Sequence, residues 1–180
     1  MPLCGSICCM CEIELTGKLA RGRVTLIDDE DYELVLGYRW RVMENRADQA
    51  YVVTYKKLHD RGGRDKRGRG INNYPMHTLL TGFRLVDHRN GDTLDNRRSN
   101  LREATYSQNA MNRRANQGSR TGFKGVNWSG ERTQRWQVRI MKEGKRHFIG
   151  NFDTPEEGAF AYDIAARELH GEFARLNFPD

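Results

Sequence analysis

The stretch "VDHRNGDTLDNRRSNLREATYSQN", residues 86–109, decides how the first half of the chain is interpreted. An apolar run ends there in the adjacent pair Asp87 and His88. Four asparagines share the polar segment that follows: Asn90, Asn96, Asn100 and Asn109. Histidine can act as a general base at neutral pH, and Mg²⁺ prefers oxygen ligands. Because successive strand residues point to opposite sides, the pair could serve a metal ion and a water molecule separately, as phosphodiester hydrolysis requires.

The segment resembles the HNH endonucleases, specifically the phage-type homing endonucleases with a ββα-metal fold. The resemblance covers residues 74–109 and rests on "VDH", "NGD", "LDNRRSNLR", "AT" and "QN", which occur in this order. An isolated Asp-His pair is common, and an asparagine-rich loop can also be a simple set of Asx turns. The ordered set of pieces favours the resemblance over both of these explanations.

The resemblance implies roles for particular residues. Asp87 and Asn109 are the expected ligands of one divalent metal ion, most simply Mg²⁺ and alternatively Mn²⁺, with no small-molecule cofactor. His88 is the expected general base, and Asn100 is expected to brace the loop through hydrogen bonds from its side chain to the backbone. Three further residues match positions that shape the loop: Asn90, Asp95 and Asn96.

His77 departs from the pattern of this family. It resembles a position at which histidine is followed by arginine, but the next residue here is Thr78. We therefore expect His77 to be a buried histidine with a structural role. The missing arginine puts one phosphate or supporting contact in doubt, and with it full activity.

Local patterns predict the other elements of the first half. Residues 24–27 form a strand, residues 29–36 a short helix and residues 38–42 a second strand. The alternation in "AYVVTYKK", residues 50–57, predicts a third strand. Residues 74–82 form a short helix, and a longer helix runs from about Ser99 to Arg114.

Two charged segments in this half allow alternatives. The acids at 28–31 could bind a second metal ion, but acids at a helix start are favoured by the helix dipole alone, and we prefer that explanation. The Gly/Arg-rich residues 59–73 form a mobile loop. That loop is either a solvated hairpin tip or a contact to nucleic-acid phosphates.

A different pattern begins after "ANQGSRTG", residues 115–122. Three short strand-like segments separated by turn residues predict a three-stranded antiparallel sheet. A helix follows, with Thr154 as N-cap, Pro155 as first residue, Glu157 completing a capping box and Gly171 just past its end. Its small and apolar residues recur at helical spacing and should cover the sheet: Ala159, Tyr162, Ala166 and Leu169.

This second half resembles the plant Apetala-2/ethylene-response-factor DNA-binding domain. "KGV", "W-x-V-x-I", "IGNFDTPEEGAFAYDIAA" and "G-x-x-A-x-LNFP" fall in order over almost all of residues 120–179. The resemblance implies that the sheet lies in the major groove of DNA. The matching DNA-contacting positions are Lys124, Asn127, Arg139, Arg146 and Phe148, with Arg135 nearby. Strand alternation in "WQVRIM" independently places Arg139 on the face opposite Trp136.

The charge of the chain is concentrated in one block. Residues 110–150 contain ten Lys/Arg and two acids, a net +8, so the rest of the chain carries −2 of the total +6. A segregated basic block is the electrostatic pattern expected of a nucleic-acid-binding protein. It could also be a solvated basic face without a partner.

The cysteines and the start of the sequence bear on the cellular compartment. All four cysteines, Cys4, Cys8, Cys9 and Cys11, fall within eleven residues, whereas a structural zinc site normally joins two separated pairs. We expect a reduced, disordered leader. The start has no basic n-region, and no stretch reaches the ~18 apolar residues of a membrane span. A cytoplasmic protein without membrane contact is therefore expected.

Together these observations predict an α+β protein with four segments. Residues 1–20 are a disordered leader, 21–114 an HNH nuclease domain, 115–122 a linker, and 123–180 a DNA-binding sheet packed on one helix. The predicted function is metal-dependent cleavage of double-stranded DNA by a homing or mobile-element nicking enzyme, acting as a monomer or transient dimer. One alternative is a non-catalytic DNA-binding regulator that keeps a decayed nuclease fold. A second is an RNA-directed or general nuclease, which the DNA-binding half of the chain disfavours.

Overall fold

The computed structural model describes residues 10–44, 49–57, 71–116, 118–130 and 135–179 of the chain. Contacts divide the chain into two compact units, Met1–Glu103 and Ala104–Asp180. Helices and mostly antiparallel strands both occur in the described ranges, which confirms the α+β class. In this part of the chain no helix has the length and apolar character needed to cross a membrane.

The first unit contains two small sheets, one hairpin and short helices. β1 (Met10–Glu14) pairs with β2 (Val24–Asp28), and β3 (Arg41–Glu44), β4 (Ala50–Lys57) and β5 (Ile71–Pro75) form a sheet in that order. A 3₁₀ turn (Asp29–Asp31) leads into α1 (Tyr32–Leu36), and α2 (Met76–Thr81) follows β5. The hairpin of β6 (Val86–His88) and β7 (Leu101–Glu103) ends the unit.

The core of the first unit is built from alternating strand residues and one indole. Ile27 and Val52 point inward from β2 and β4, and Met76, the first residue of α2, is fully buried in the same core. Trp40 is 2% exposed, and its Nε1 donates to the Val35 carbonyl at 2.9 Å. The single polar atom of this large apolar side chain is therefore satisfied, as burial requires.

The prediction of a disordered leader over residues 1–20 is wrong from Met10 onward. β1 pairs antiparallel with β2 over its whole length, from Met10 opposite Asp28 to Glu14 opposite Val24. Cys11 and Ile13 alternate along β1 and pack against the core, so the strand buries apolar surface. Cys4, Cys8 and Cys9 lie outside the described residues, and Cys11 is a free thiol.

The predicted helix from Ser99 to Arg114 is too long at both ends. The chain first forms β7, whose Leu101 and Arg102 are buried, and only then α3 (Tyr106–Met111). Thr105 starts α3 with a capping box, because its hydroxyl accepts from the Gln108 backbone and the Gln108 side chain accepts from the Thr105 backbone. The strand predicted at 38–42 begins later, at Arg41, and the loop predicted to end at residue 73 gives way to β5 at Ile71.

The second unit is a three-stranded antiparallel sheet covered by one helix, as predicted. The sheet order is β10 (Lys145–Phe152), β9 (Trp136–Lys142) and β8 (Val126–Trp128). α4 (Pro155–His170) begins with the predicted capping box between Thr154 and Glu157. α3 belongs to this unit, so the unit begins earlier than the predicted boundary, and the predicted linker at 115–122 lies inside it.

Small residues let α4 lie close to the sheet. Ala159 and Ala166 are fully buried against Val138 and Ile140. Gly125 has a φ of +80°, and a Cβ built on it would lie 2.2 Å from the Tyr162 ring. Only glycine meets both the backbone conformation and the close approach at that position.

Candidate functional site

The predicted catalytic pair lies on a hairpin in the first unit. In the register of β6 and β7, Asp87 is opposite Arg102 and His88 is opposite Leu101. Asp87 is 7% exposed and His88 is 4% exposed. The long polar loop connects the two strands, so its conformation determines what surrounds these two side chains.

Asn100 braces this loop from inside. Its Nδ2 donates to the Asp95 carbonyl at 2.7 Å, and its Oδ1 accepts from the Asn90 backbone N–H at 3.0 Å. The side chain therefore satisfies one backbone acceptor and one backbone donor within the loop that connects β6 and β7. This is the hydrogen-bond pattern that the predicted bracing role needs.

Further side chains fix the turn between Asn90 and Asp95. Asn90 Oδ1 accepts from the Asp92 backbone at 2.8 Å, and its Nδ2 donates to Asp95 Oδ2 at 2.9 Å. Arg97 binds both Asp95 oxygens, with Nε at 2.8 Å and Nη2 at 2.7 Å. Hydrogen bonds from Arg97 hold the pKa of Asp95 below its ordinary value. The loop is thus rigid through Asx turns and one bidentate ion pair.

The loop also docks onto β2, a contact that sequence reasoning did not anticipate. The Asn96 backbone N–H donates to the Leu26 carbonyl at 2.8 Å, and the Leu26 N–H donates to the Leu94 carbonyl at 3.0 Å. On the neighbouring side, Arg98 binds the acidic cluster: its backbone N–H donates to Asp28 at 2.7 Å, and its guanidinium donates to Asp31 at 2.9 and 2.6 Å. The acids therefore anchor the loop, which accounts for them without a second metal ion.

His88 is held as a neutral ring among polar and aromatic neighbours. Burial lowers the pKa of His88 below its ordinary 6.5, against the Asn96 hydrogen bond and the charges of nearby aspartates, which raise it. Its ring meets that of His77 edge to face at 5.3 Å. Burial, and then the charge of His88, lower the pKa of His77 to about 3. A base must be neutral to accept a proton, so the first requirement for general-base chemistry is met.

Arg102 is a residue of the site that the sequence interpretation missed. Its Nε and Nη2 lie 2.8 and 2.7 Å from Asp87 Oδ2, and the side chains of both residues are less than a tenth exposed. A buried carboxylate without a partner would be very costly. Arg102 therefore makes a buried negative charge possible next to His88, and it fixes the direction of the carboxylate.

The exposed face of the sheet in the second unit collects most of the predicted DNA-contacting residues. In the strand register Arg139 is opposite Phe148, and Arg146 is opposite Met141. Phe148 is 57% exposed, and Asn127 on β8 points to the same side, opposite Gln137. Ile149, the next residue of β10, packs against the core on the opposite side, as strand alternation requires, and a β-bulge shifts the register between Phe148 and Gly150.

Lys124 lies apart from the strand residues of this face. Lys124 precedes β8, and its ammonium donates to the Met111 carbonyl. Burial, assisted by the charges of Arg175 and Arg113, lowers the pKa of Lys124 to about 8. The predicted contact of Lys124 with DNA stays a prediction.

Arg135 lies at the edge of the sheet, just before β9. Its Nη2 is 3.3 Å from an oxygen of Asp153, and both residues are exposed. Trp128 and Trp136 pair across β8 and β9 with ring centroids 4.9 Å apart. Both rings lie on the core side of the sheet, so they cannot stack on DNA bases at the exposed face.

Comparison with known proteins identifies the segment that carries Asp87 and His88. A family model described as HNH endonuclease matches residues 85–111. Protein 3.8 of Escherichia phage T7 is 38% identical over 91 residues, which cover 51% of this chain and 74% of that protein. The chain belongs to the HNH endonuclease family. A mimivirus protein from Acanthamoeba polyphaga mimivirus, named "Uncharacterized HNH endonuclease L560", is 29% identical over 161 residues, or 88% of this chain and 78% of that protein.

The second unit of this HNH endonuclease has relatives of another kind. The dehydration-responsive element-binding protein 2A of Arabidopsis thaliana is 41% identical over 66 residues, which cover 34% of this chain and 18% of the plant protein. Several ethylene-responsive transcription factors of the same plant match at similar identity. The protein is therefore a fusion of an HNH nuclease with a segment similar to the Apetala-2/ethylene-response-factor domain.

HNH nucleases generally use a divalent metal ion, so the oxygen and nitrogen donors of this chain can be compared with what such an ion needs. Among the described residues, no group of three or more His, Cys, Asp or Glu could hold a metal ion. Asp87 supplies a buried carboxylate, an oxygen donor of the kind that hard cations prefer. Asn109 lies half-buried on α3 in the second unit, and its role as a ligand stays a prediction. Such a sparse set fits a cation that keeps waters or substrate oxygens in its shell.

Proposed function

We propose that this HNH endonuclease hydrolyses phosphodiester bonds of double-stranded DNA, with His88 as general base and one divalent metal ion. The observation that carries the proposal is the pairing of a buried, neutral His88 with a buried Asp87 at the end of β6. The braced loop holds both side chains in place. A general base fixed in this way contributes roughly 10²–10⁴ in rate.

His88 takes the proton of the attacking water in this mechanism. The imidazole then carries a positive charge, which the neighbouring carboxylates Asp87, Asp92 and Asp95 stabilise, since each of them raises the pKa of His88. Burial lowers the pKa of His88, and this favours the return of the ring to its neutral form after each turnover. The balance keeps the base in its working protonation state near neutral pH.

Asp87 and Asn109 would hold the metal ion, most simply Mg²⁺ and alternatively Mn²⁺. A divalent cation bound there supplies positive charge for the phosphate oxygens during hydrolysis. Arg102 keeps the Asp87 carboxylate in one orientation through its two bonds to Oδ2. We expect Arg102 to preserve the ligand geometry between turnovers.

The sheet of the second unit would bring the nuclease to its targets. Arg139, Arg146 and Asn127 can donate to base edges or phosphates, and Phe148 adds apolar contact on the same face. A basic surplus of +8 in residues 110–150 supports attraction to the phosphate backbone. One active site per chain, in a monomer or a transient dimer, favours nicking of one strand unless two chains act together.

A homing or mobile-element endonuclease acting in the cytoplasm is the biological role we propose. The similarity to phage and giant-virus proteins supports such a role. A non-catalytic regulator, one alternative raised by the sequence, is disfavoured because Asp87, His88 and Asn100 are all present and joined by one hydrogen-bonded loop.

A plasmid-nicking assay tests the proposed chemistry. Wild-type protein should nick supercoiled DNA with Mg²⁺ and not with EDTA. His88→Ala should lower the rate by roughly 10²–10⁴ and leave DNA affinity in a gel shift nearly unchanged. His147→Ala, which removes an exposed histidine of the second unit, serves as the matched control for catalysis. A His88→Ala protein that cuts at the wild-type rate would remove His88 from the mechanism.

A further inference from the structure

A buried chain of hydrogen bonds connects β2 to the ring of His88. The Thr25 hydroxyl lies 2.6 Å from the Leu94 carbonyl, the Asn96 side-chain amide lies 2.9 Å from the Thr25 hydroxyl, and the other end of that amide lies 3.4 Å from His88 Nε2. Thr25 is 0% exposed and Asn96 is 1% exposed. Water therefore has little access to this chain.

Each link of the chain has a direction that chemistry fixes. A carbonyl can only accept, so the Thr25 hydroxyl must donate its single proton to Leu94. The same hydroxyl can then only accept from Asn96, which requires the NH₂ end of the amide to face Thr25. The amide oxygen consequently faces His88. The partners alone fix this direction, because only one orientation of the amide lets the Thr25 hydroxyl accept from it.

An amide oxygen that faces a ring nitrogen selects the tautomer of that ring. Two lone pairs facing each other repel, whereas a proton on Nε2 turns the contact into an N–H···O interaction. We propose that Thr25 and Asn96 are positioning residues that hold neutral His88 in the tautomer protonated on Nε2. Nδ1 is then the nitrogen that accepts the proton of water, a consequence that rests on the proposed function.

Docking of the loop does not account for the Asn96 side chain. The backbone of Asn96 already binds the Leu26 carbonyl, and Leu26 binds Leu94. A buried amide is costly unless its groups are satisfied, and an apolar side chain of similar size would serve docking equally well. Instead, the NH₂ end of the Asn96 amide contacts Thr25 and its oxygen contacts His88. A role in orienting the ring explains why an amide occupies this position.

The test reads the tautomer directly in the full-length protein. Long-range ¹H–¹⁵N correlation spectra of histidine-labelled protein, recorded at about pH 8, show which ring nitrogen of His88 carries the proton. His88→Ala identifies the signals. We expect a protonated Nε2 and an unprotonated Nδ1 in the wild-type protein. A wild-type ring protonated on Nδ1 overturns the proposal without any variant.

Thr25→Val removes the hydroxyl and keeps the shape of the side chain. The amide of Asn96 then loses its fixed direction, so we expect both tautomers in the spectrum. The Thr25 hydroxyl acts on His88 only through Asn96, and its loss should lower kcat by roughly 10–100-fold, with KM for DNA unchanged. Thr25→Ser retains the hydroxyl and is the matched control, which should restore both the single tautomer and kcat.

Two results with Thr25→Val would overturn the proposal. One is a wild-type spectrum with wild-type kcat, and the other is a loss of kcat with the tautomer unchanged, which would indicate a merely structural role. If Thr25→Val does not fold, Asn96→Leu allows the same measurement, because it removes the acceptor that faces Nε2 of His88. A His88 ring of Asn96→Leu that is still protonated only on Nε2 would contradict the proposal. The spectrum does not depend on cleavage, so failure of His88 as the base remains distinguishable from failure of this inference.

Discussion

Replacement of Asn100 by alanine is the sharpest test of how the loop supports the site. Asn100 is 6% exposed and bridges the Asp95 carbonyl at 2.7 Å and the Asn90 N–H at 3.0 Å. Asn100→Ala removes both bonds at once and leaves two backbone groups without this partner. The rest of the hairpin, including the pairing of β6 with β7, is left in place.

The size of the effect follows from the two groups that lose their bonds. A buried polar group left unsatisfied costs about 1–3 kcal/mol, and a water molecule admitted by the smaller side chain would offset part of that. We therefore expect a loss of about 2–4 kcal/mol in unfolding free energy. For a unit of roughly 100 residues each kcal/mol lowers Tm by ~4–8 °C, so Tm of the first unit should fall by at least about 8 °C.

Differential scanning calorimetry and nicking rates on one preparation measure both consequences. Asn100→Asp keeps the acceptor for Asn90, but it loses the donor to Asp95 and buries a charge that faces a carbonyl, so its Tm should fall at least as far as that of Asn100→Ala. Ser99→Ala changes an exposed neighbour and is the control. Cleavage well below Tm should fall with Asn100→Ala because the loop between the two strands loosens. A wild-type Tm for Asn100→Ala would refute the bracing role, and a lowered Tm with wild-type cleavage would separate loop order from catalysis.

Three further perturbations have defined outcomes. Asp87→Ala should reduce Mg²⁺-dependent nicking more than Asn109→Ala, because Asp87 carries the charge; equal rates with and without added metal would exclude the single-metal proposal. Burial lowers the pKa of His77 to about 3, so the unfolded state binds its proton first and unfolding free energy should fall as pH drops from 6.5 towards 3; His77→Phe should flatten that decline in thermal melts. Arg139→Ala should reduce base discrimination by ~1–3 kcal/mol while changing the salt slope by no more than roughly 0.9; a binding-site selection that recovers random sequence from the wild type would instead make the sheet a non-specific clamp.

The parts of the fold that were predicted correctly depend on local patterns. The capping box at Thr154 and Glu157 and the alternation of Val138, Arg139 and Ile140 are decided within a few residues of sequence. The same holds for the Asn100 brace, which joins residues at most ten positions apart. Such interactions need no knowledge of distant segments.

The parts that were missed depend on partners far along the chain or on a competing local pattern. Thr25 reaches Leu94 across 69 positions, so nothing near residue 25 indicates its place beside the site. β7 was taken for a helix because its residues are helix-compatible, whereas the pairing of Arg102 with Asp87 favours a strand. The contact of the Lys124 ammonium with the Met111 carbonyl joins residues 13 positions apart, and the strand pattern around Lys124 does not indicate it.

The combination of amides, acids and arginines in the loop resolves a conflict in the chemistry of His88. Carboxylates near the ring are useful because they stabilise the imidazolium that forms when it accepts a proton, but they also raise its pKa and would charge it too early. Here Arg102 neutralises Asp87 and Arg97 neutralises Asp95, so the acids remain close while burial still lowers the pKa of His88. Beside these ion pairs, neutral asparagines such as Asn100 brace the loop, since they can donate and accept without adding charge. An aspartate at that position would lose the donor and add a further negative charge close to the base.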